Sequence, residues 1–249
     1  MIDRKKQILE QLTLENKIEV AILAQRLGVS PVTMRKDLDA LEKIGLIVRE
    51  HGFAAIGSRE NLNNRMAYHY EEKQRIARLA AESVQPGETV MIESGSCCAL
   101  LAAALCKNKK DVTIITNSAF IADYVRGQKN SRVILLGGAY QNESQVMVGP
   151  LTALCAESFF VDKLFVGADG FMQSYGFMGT DMLRVETVCA MKSRAEKLNI
   201  LTDSSKFTKR GVVNLMPFSD IDRVYTDCDI PDAAKDILIG HDVEVLTTS

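Results

Sequence analysis

Between residues 3 and 55 the apolar positions recur at helical spacing in three short blocks and then change period. Ile8, Leu9 and Leu12 predict a first helix over 3–15, with Asp3 placed to cap it. Val20 to Leu27 predicts a second, closed by Gly28, which supplies the left-handed residue of a tight turn. Ser30 and Pro31 then stand where an N-cap and a first helical residue belong. Met34, Leu38 and Leu41 follow at i, i+4 and i+7 as one buried stripe, and Gly45 is the expected C′ residue. Leu46-Ile47-Val48 predicts a short strand ending at His51-Gly52, the start of a hairpin, while Lys17-Ile18-Glu19 predicts only a connection. Taken alone, the third helix reads equally well as an ordinary amphipathic surface helix. Its neighbours decide otherwise: a Gly turn to the helix before it, a further helix ahead and a hairpin behind predict a winged helix-turn-helix. The polar face carries Thr33, Arg35 and Lys36 in the first two turns, which suits the DNA major groove.

Residues 58–70 are polar and aperiodic and predict a linker. A helix over 71–84, with Ile76, Leu79 and Ala80 inward, leads to a turn at Pro86-Gly87. Beyond it, apolar runs at Thr89–Ile92, Val112–Ile115, Arg132–Leu136, Lys163–Val166, Asn199–Leu201, Arg223–Tyr225 and Val243–Leu246 predict strands. Helical patterns lie near 98–106, 118–126, 151–158, 182–196 and 231–239. The alternation predicts an α/β fold with a largely parallel sheet covered on both faces. The organisation is a winged helix-turn-helix over 1–57, a linker over 58–70 and an α/β domain over 71–249.

Charge changes one part of this picture. The net charge is −2, and residues 1–57 carry nine basic and eight acidic side chains, so +1 there and −3 elsewhere. A head so near neutrality must contact DNA through local placement or through several copies. Six cysteines show no Cys-x-x-Cys and no nearby His, so neither a metal site nor a cofactor set is predicted, and a reduced intracellular protein is the default. No apolar run is long enough to span a membrane and the charged start lacks a signal pattern, so a cytoplasmic location is expected. Cys97 and Cys98 fall at a predicted helix N-terminus, where a thiol pKa can be lowered, although free cysteines are usually small buried hydrophobes.

In open parallel sheets ligands bind beyond the carboxyl ends of the strands. Those ends carry Glu93-Ser94-Gly95-Ser96, Thr116-Asn117, Gly137-Gly138, Gly167-Ala168-Asp169-Gly170 and Asp203-Ser204-Ser205-Lys206. Helix N-termini and Lys206 suit an anion, glycines admit close backbone approach, and Glu93, Asp169 and Asp203 suit sugar hydroxyls. The same Ser, Asn and Asp residues also serve as ordinary N-caps. Arg184, early in the helix begun by Asp181, faces either the cleft or solvent. No Ser/His/Asp or Cys/His set suggests a nucleophilic enzyme.

On these motifs the sequence resembles the DeoR family of bacterial transcriptional regulators almost end to end. An early R-x-x-x-I-L-like helix appears as Arg4 to Leu9, and the recognition segment as Ser30, Thr33, Arg35, Asp37, Leu38, Leu41 and Glu42. The wing appears as Arg49, His51, Gly52 and Ala54, with Phe53 in place of a second glycine. ESGS at 93–96, TNS at 116–118, LGG at 136–138, VGADG at 166–170 and DSSKF at 203–207 follow in order. Arg184 and Val188 stand where Glu and Lys are common, which marks a distinct branch. The resemblance implies a C-terminal domain similar to sugar-phosphate isomerase and CoA-transferase-like folds. It implies a homo-oligomeric repressor of sugar uptake or catabolism genes, a dimer or tetramer on double-stranded operator DNA, with a phosphorylated sugar as effector. Ser30, Thr33, Arg35, Lys36, Arg49 and His51 would then face DNA, with the last two touching its backbone. Glu93, Ser94, Gly95, Ser96, Thr116, Asn117, Gly137, Gly138, Asp169, Gly170, Arg184, Asp203 and Lys206 would face the effector. Two other readings stay open: an isomerase-like enzyme using Glu93, Asp169, Asp203 and Lys206 beneath an accessory DNA-binding head, and a regulator whose sensor has lost its ligand.

Overall fold

The computed structural model describes residues 2–43, 46–55, 62–128 and 131–248. The chain divides into two compact units, Met1–Glu71 and Glu72–Ser249.

In the first unit the chain opens with α1 (Ile2–Glu15), and the capping expected of the Asp3 side chain lies outside what is described. Ile8, Leu9 and Leu12 are buried as their spacing requires. Lys17–Glu19 is not a mere connection but a strand, β1, with Ile18 buried; three residues are too few to reveal a period. Then come α2 (Val20–Arg26), α3 (Pro31–Lys43), β2 (Val48–Glu50) and β3 (Phe53–Ala55). The strands form an antiparallel sheet in the order β1-β3-β2. The chain reaches α3 through Gly28 at φ 63° and Ser30, whose Oγ accepts the Thr33 amide at 3.2 Å. Met34, Leu38 and Leu41 are buried together. Gly45 lies outside the described residues. Leu46 is buried ahead of β2, and its amide bonds back to the Leu41 carbonyl at 3.0 Å, so it belongs to the helix terminus and the strand starts later than expected. His51 (φ 49°) and Gly52 (φ 86°) make the two-residue hairpin turn with both central angles positive. A short helix, α4 (Leu62–Ala67), lies within the stretch expected to be irregular linker, and Met66 and Ala67 are buried at its end. Residues 58–61 of that stretch lie outside the described residues.

The second unit follows α5 (Tyr70–Glu82) with β4 (Thr89–Ile92), α6 (Ser96–Asn108), β5 (Val112–Thr116), α7 (Ala119–Val125) and β6 (Ser131–Leu135). Next are β7 (Ala139–Gln141), β8 (Val146–Val148), α8 (Pro150–Glu157), β9 (Val161–Gly167), β10 (Gly170–Met172), β11 (Gly176–Gly179) and α9 (Met182–Lys192). The chain finishes with β12 (Ala195–Leu201), β13 (Val213–Asn214), β14 (Arg223–Asp227), α10 (Asp232–Gly240) and β15 (Glu244–Thr248). All seven predicted strands meet in one parallel sheet, ordered β15-β14-β12-β9-β4-β5-β6. Val90, Met91 and Ile92 are fully buried in succession, as are Leu164, Phe165 and Val166, which requires cover on both faces. The helix pattern over 182–196 ends early because Ser193 caps α9 and the chain enters β12 at Ala195.

The strand order holds the functional information. From β4 the chain runs outward through β5 to β6, then returns to β9 on the other side of β4 and runs outward again. Beyond the carboxyl ends of β4 and β9 the connections therefore leave in opposite directions, which opens a crevice. Two antiparallel pieces absent from the sequence reading stand over this edge: the β7–β8 pair and the β10-β11-β13 sheet. The latter is backed by Phe171, Phe177 and Phe207, with ring centroids 5.2–5.8 Å apart.

Candidate functional site

The crevice is built from β4, β9 and the start of α9. Gly95, at φ 103°, adopts a conformation that L side chains rarely reach, and a Cβ on Gly167 would meet the Ser94 carbonyl oxygen at 3.0 Å. The two strand ends can thus approach closely and project Glu93 and Asp169 to the same side. Asp181 caps α9 by accepting the Arg184 amide at 2.8 Å, which aims the Arg184 side chain into the cleft and not at solvent. There Arg184 lies 3.5 Å from Glu93 Oε1 and 3.5 Å from Asp169 Oδ2, and donates to Ser94 Oγ at 3.2 Å. Ser94 Oγ in turn donates to Glu93 Oε1 at 2.6 Å, and Thr180 Oγ1 to Asp169 Oδ2 at 2.9 Å. Met178, Gly179, Val185, Val188 and Leu215 complete the lining.

Electrostatically the cleft is acidic. Burial works against the Arg184 charge, but Glu93, Asp169 and Asp181 together outweigh it and raise its pKa. Three carboxylates around one guanidinium leave a net negative site. Two of its buried polar atoms, Glu93 Oε2 and Arg184 Nε, have no hydrogen-bond partner among the described residues. Such atoms are costly to leave dry, and an acceptor beside a donor matches a hydroxyl group.

On the far side of β9, the loop after β12 carries Asp203 and Lys206. Asp203 Oδ1 accepts the Ser205 hydroxyl, and Asp203 Oδ2 lies 3.9 Å from Lys73 Nζ. Lys73, on α5, is buried and had no signal in the sequence, where a charge at one position of an amphipathic helix reads as solvated. The first turn of α6 adjoins this group. Its Cys97 thiol is not activated: burial pushes it up to about 12, and the opposing pull of Lys73 and Lys206 is smaller. Cys98 is raised as well, again by burial, so of the two readings of these thiols the structure favours the small buried hydrophobe over the activated helix-terminus thiol.

The remaining strand-end residues also make contacts within the fold. Thr116 Oγ1 donates to the Glu93 carbonyl oxygen at 3.2 Å and accepts the Ser118 amide at 3.0 Å. Asn117 Nδ2 donates to the Met147 carbonyl at 2.9 Å, holding β8. Gly137 and Gly138 follow the edge strand β6, and a Cβ on Gly138 would meet Thr152 Oγ1 at 1.9 Å. A Cβ on Gly170 would meet the Lys209 carbonyl oxygen at 2.5 Å. Gly138 and Gly170 thus admit α8 and the 209–211 loop. Ser96 opens α6 and is buried.

In the first unit, Arg35 and Lys36 are exposed on α3 and make no ion pair among the described residues. Thr33 lies beside them, its hydroxyl 2.9 Å from Ser30 Oγ, so Ser30 acts first as the cap. His51 is exposed at the hairpin turn. Arg49 is different. Its guanidinium lies 2.6 Å from Asp39 and 2.7 Å from Glu42, and the Glu42 hydrogen bond is the main cause of its raised pKa. It ties the wing to α3 instead of presenting a free charge. Arg4 does the same between α1 and α3, with Nε 2.5 Å from buried Asp37. Phe53 is half-exposed on the wing, with the Lys17 ammonium 5.1 Å from its ring centroid.

Comparison with known proteins places these units. Residues 4–60 match the DeoR-like helix-turn-helix domain and residues 68–228 the DeoR C terminal sensor domain. The chain is 30% identical over 242 residues to the glycerol-3-phosphate regulon repressor of Escherichia coli (strain K12), covering 96% of this chain and 95% of that one. It is 32% identical over 225 residues to the HTH-type transcriptional regulator UlaR of Shigella dysenteriae serotype 1 (strain Sd197), covering 88% of each. Among solved structures it resembles ribose 5 phosphate isomerase A from Neisseria gonorrhoeae at a TM-score of 0.42 and 20% identity, over 56% of this chain and 54% of the isomerase. That distant likeness carries no functional weight.

Proposed function

The chain belongs to the DeoR family, and on that premise we propose that it is an operator-binding repressor whose C-terminal domain responds to a phosphorylated sugar. The observation that carries the DNA reading is the exposed pair Arg35 and Lys36 at the N-terminal end of α3, which has no ion-pair partner among the described residues. Arg4 and Arg49 spend their charge on carboxylates of the same unit, so α3 holds the cations free for phosphates and base edges. Thr33 and His51 complete that surface. Arg49 acts by positioning the wing. With a head of net charge +1, affinity requires several heads on one operator, which a dimer or tetramer supplies.

For the effector, a relative named for a glycerol-3-phosphate regulon spans nearly the whole chain. The acidic cleft supports a specific orientation. Glu93, Asp169 and Arg184 receive the hydroxyl end, because a phosphate placed among three carboxylates would be repelled. The phosphate lies toward Gly95, Ser96 and Lys206. A ligand that binds one arrangement of the oligomer better shifts it toward that arrangement and away from the operator.

Operator retention in a gel shift, with and without sugar phosphates, tests both halves. Arg35→Ala is expected to abolish retention while thermal unfolding stays unchanged; retention equal to wild type refutes the DNA assignment. Sugar phosphates that bind raise the melting temperature by mass action. If a broad panel raises none, the sensor domain serves assembly alone.

A further inference from the structure

We propose that Val32 reads operator sequence by packing against the 5-methyl group of a thymine in the major groove. The inference rests on the DNA reading above and adds an apolar specificity contact to the charged ones.

Three observations converge on Val32. It is 61% exposed in the first turn of α3, a helix that buries Met34, Leu38 and Leu41 on its other side. A single exposed valine is ordinary, but its place on the helix is not. Val32, Arg35, Lys36 and Asp39 recur at i, i+3, i+4 and i+7 and are all exposed, so they line one face. At the far end of that face Asp39 already holds Arg49 at 2.6 Å, which leaves the first two turns to meet a partner. Helical side chains lean toward the N-terminus, so Val32 stands ahead of Arg35 and Lys36, at the end from which a recognition helix contacts base edges. The hydroxyls of this turn are engaged with each other: Ser30 Oγ lies 2.9 Å from Thr33 Oγ1 and accepts the Thr33 amide at 3.2 Å. Beside them Val32 holds two methyl groups outward.

The chemistry of the groove selects the partner. Thymine alone presents an apolar group on the major-groove edge, its 5-methyl, while the other bases present donors and acceptors. A valine satisfies neither donor nor acceptor, so against any other base it strands a polar group that has lost its water. Against thymine it removes two apolar surfaces from water at once. Branching at Cβ holds the side chain to one dominant rotamer in a helix, so little freedom is lost when it packs. The charge of the unit gives this contact weight. A head of net charge +1 draws little on sequence-independent attraction, so its choice of site depends on contacts to base edges.

The test uses the full chain and a fragment of its own promoter region in which each thymine is replaced in turn by uracil, which pairs identically and lacks only the methyl group. Wild type is expected to lose about fourfold in affinity at one thymine per bound head, the effect of a single methyl group returned to water. Val32→Ala, which withdraws both γ-methyls, is expected to bind the all-thymine fragment about as weakly and to lose most of the discrimination at that thymine. Its unfolding midpoint is expected to stay unchanged, because the side chain is exposed. Val32→Ile keeps the branched methyls and is expected to keep the discrimination. If no uracil weakens wild type, or if Val32→Ala discriminates as strongly as wild type, the inference is overturned and operator binding still stands. A Val32→Ala chain that binds neither fragment assigns the residue to placing the helix and also overturns it. If wild type retains no fragment, or Arg35→Ala retains the all-thymine fragment as wild type does, the DNA reading of α3 fails, and this inference with it.

Discussion

Both α3 and the crevice of the large sheet present basic groups, but they treat the charge in opposite ways. Arg35 and Lys36 are exposed and have no carboxylate partner among the described residues, while Arg184 is shared by Glu93 and Asp169 and Lys73 is set against Asp203. The difference follows from the medium. On the surface, water solvates a lone cation at little cost, so its charge stays available for a polyanion such as DNA. In the interior a lone cation is costly, so it must carry its counter-ion with it, and a ligand has to compete with that counter-ion. The first unit uses both modes: Arg4 and Arg49 are compensated and hold α1 and the wing against α3, which leaves the exposed pair correctly placed.

The contrast can be broken most severely at Arg184. Arg184→Met is expected to cost about 3–5 kcal/mol of stability in urea denaturation, because it leaves Glu93 buried without its cation. Adding Glu93→Gln is expected to recover most of that loss; a double variant as unstable as the single would show that packing and not charge is at stake. On the exposed side, Arg35→Ala is expected to weaken operator binding by about 1–3 kcal/mol per head with no change in unfolding midpoint. Lys36→Ala is expected to act more mildly, lowering the slope of log affinity against log salt by about one per head, as befits a phosphate contact. The smallest effect concerns Cys97. With its thiol at about 12, alkylation at pH 8 is expected to leave Cys97 untouched in the folded protein while exposed Cys228 reacts, and to reach Cys97 on unfolding. Rapid labelling of folded Cys97 would mean that the adjoining lysines dominate over burial.

How far the sequence reached varied with the range of the interaction. Ser30, Pro31 and the Met34-Leu38-Leu41 stripe marked α3 because capping and helical periodicity act within a few residues. The inner strands were legible as apolar runs because burial on both faces leaves no polar alternation. β1, α4 and the β10-β11-β13 sheet were not, since segments of two to six residues hold too few positions to show a period. Among the site residues, Glu93, Ser94, Asp169 and Arg184 meet in one cleft. Gly138 and Gly170 occupied equivalent sequence positions at strand ends, yet each admits a packing neighbour. Glycine records that something comes close, not what it is.

Sequence alone determined the identity of the longer elements, the parallel character of the large sheet, and the exposure of Arg35 and Lys36, since each depends on how a side chain stands relative to its own backbone. Only the tertiary structure decided which strand ends share the crevice. It also decided that Arg184 reaches Glu93 and Asp169, that Arg49 is occupied by Asp39 and Glu42, and that Lys73 is buried beside Asp203. Those outcomes depend on strand order and helix placement, which join residues far apart in the chain. No local period encodes the partner a charged side chain will meet.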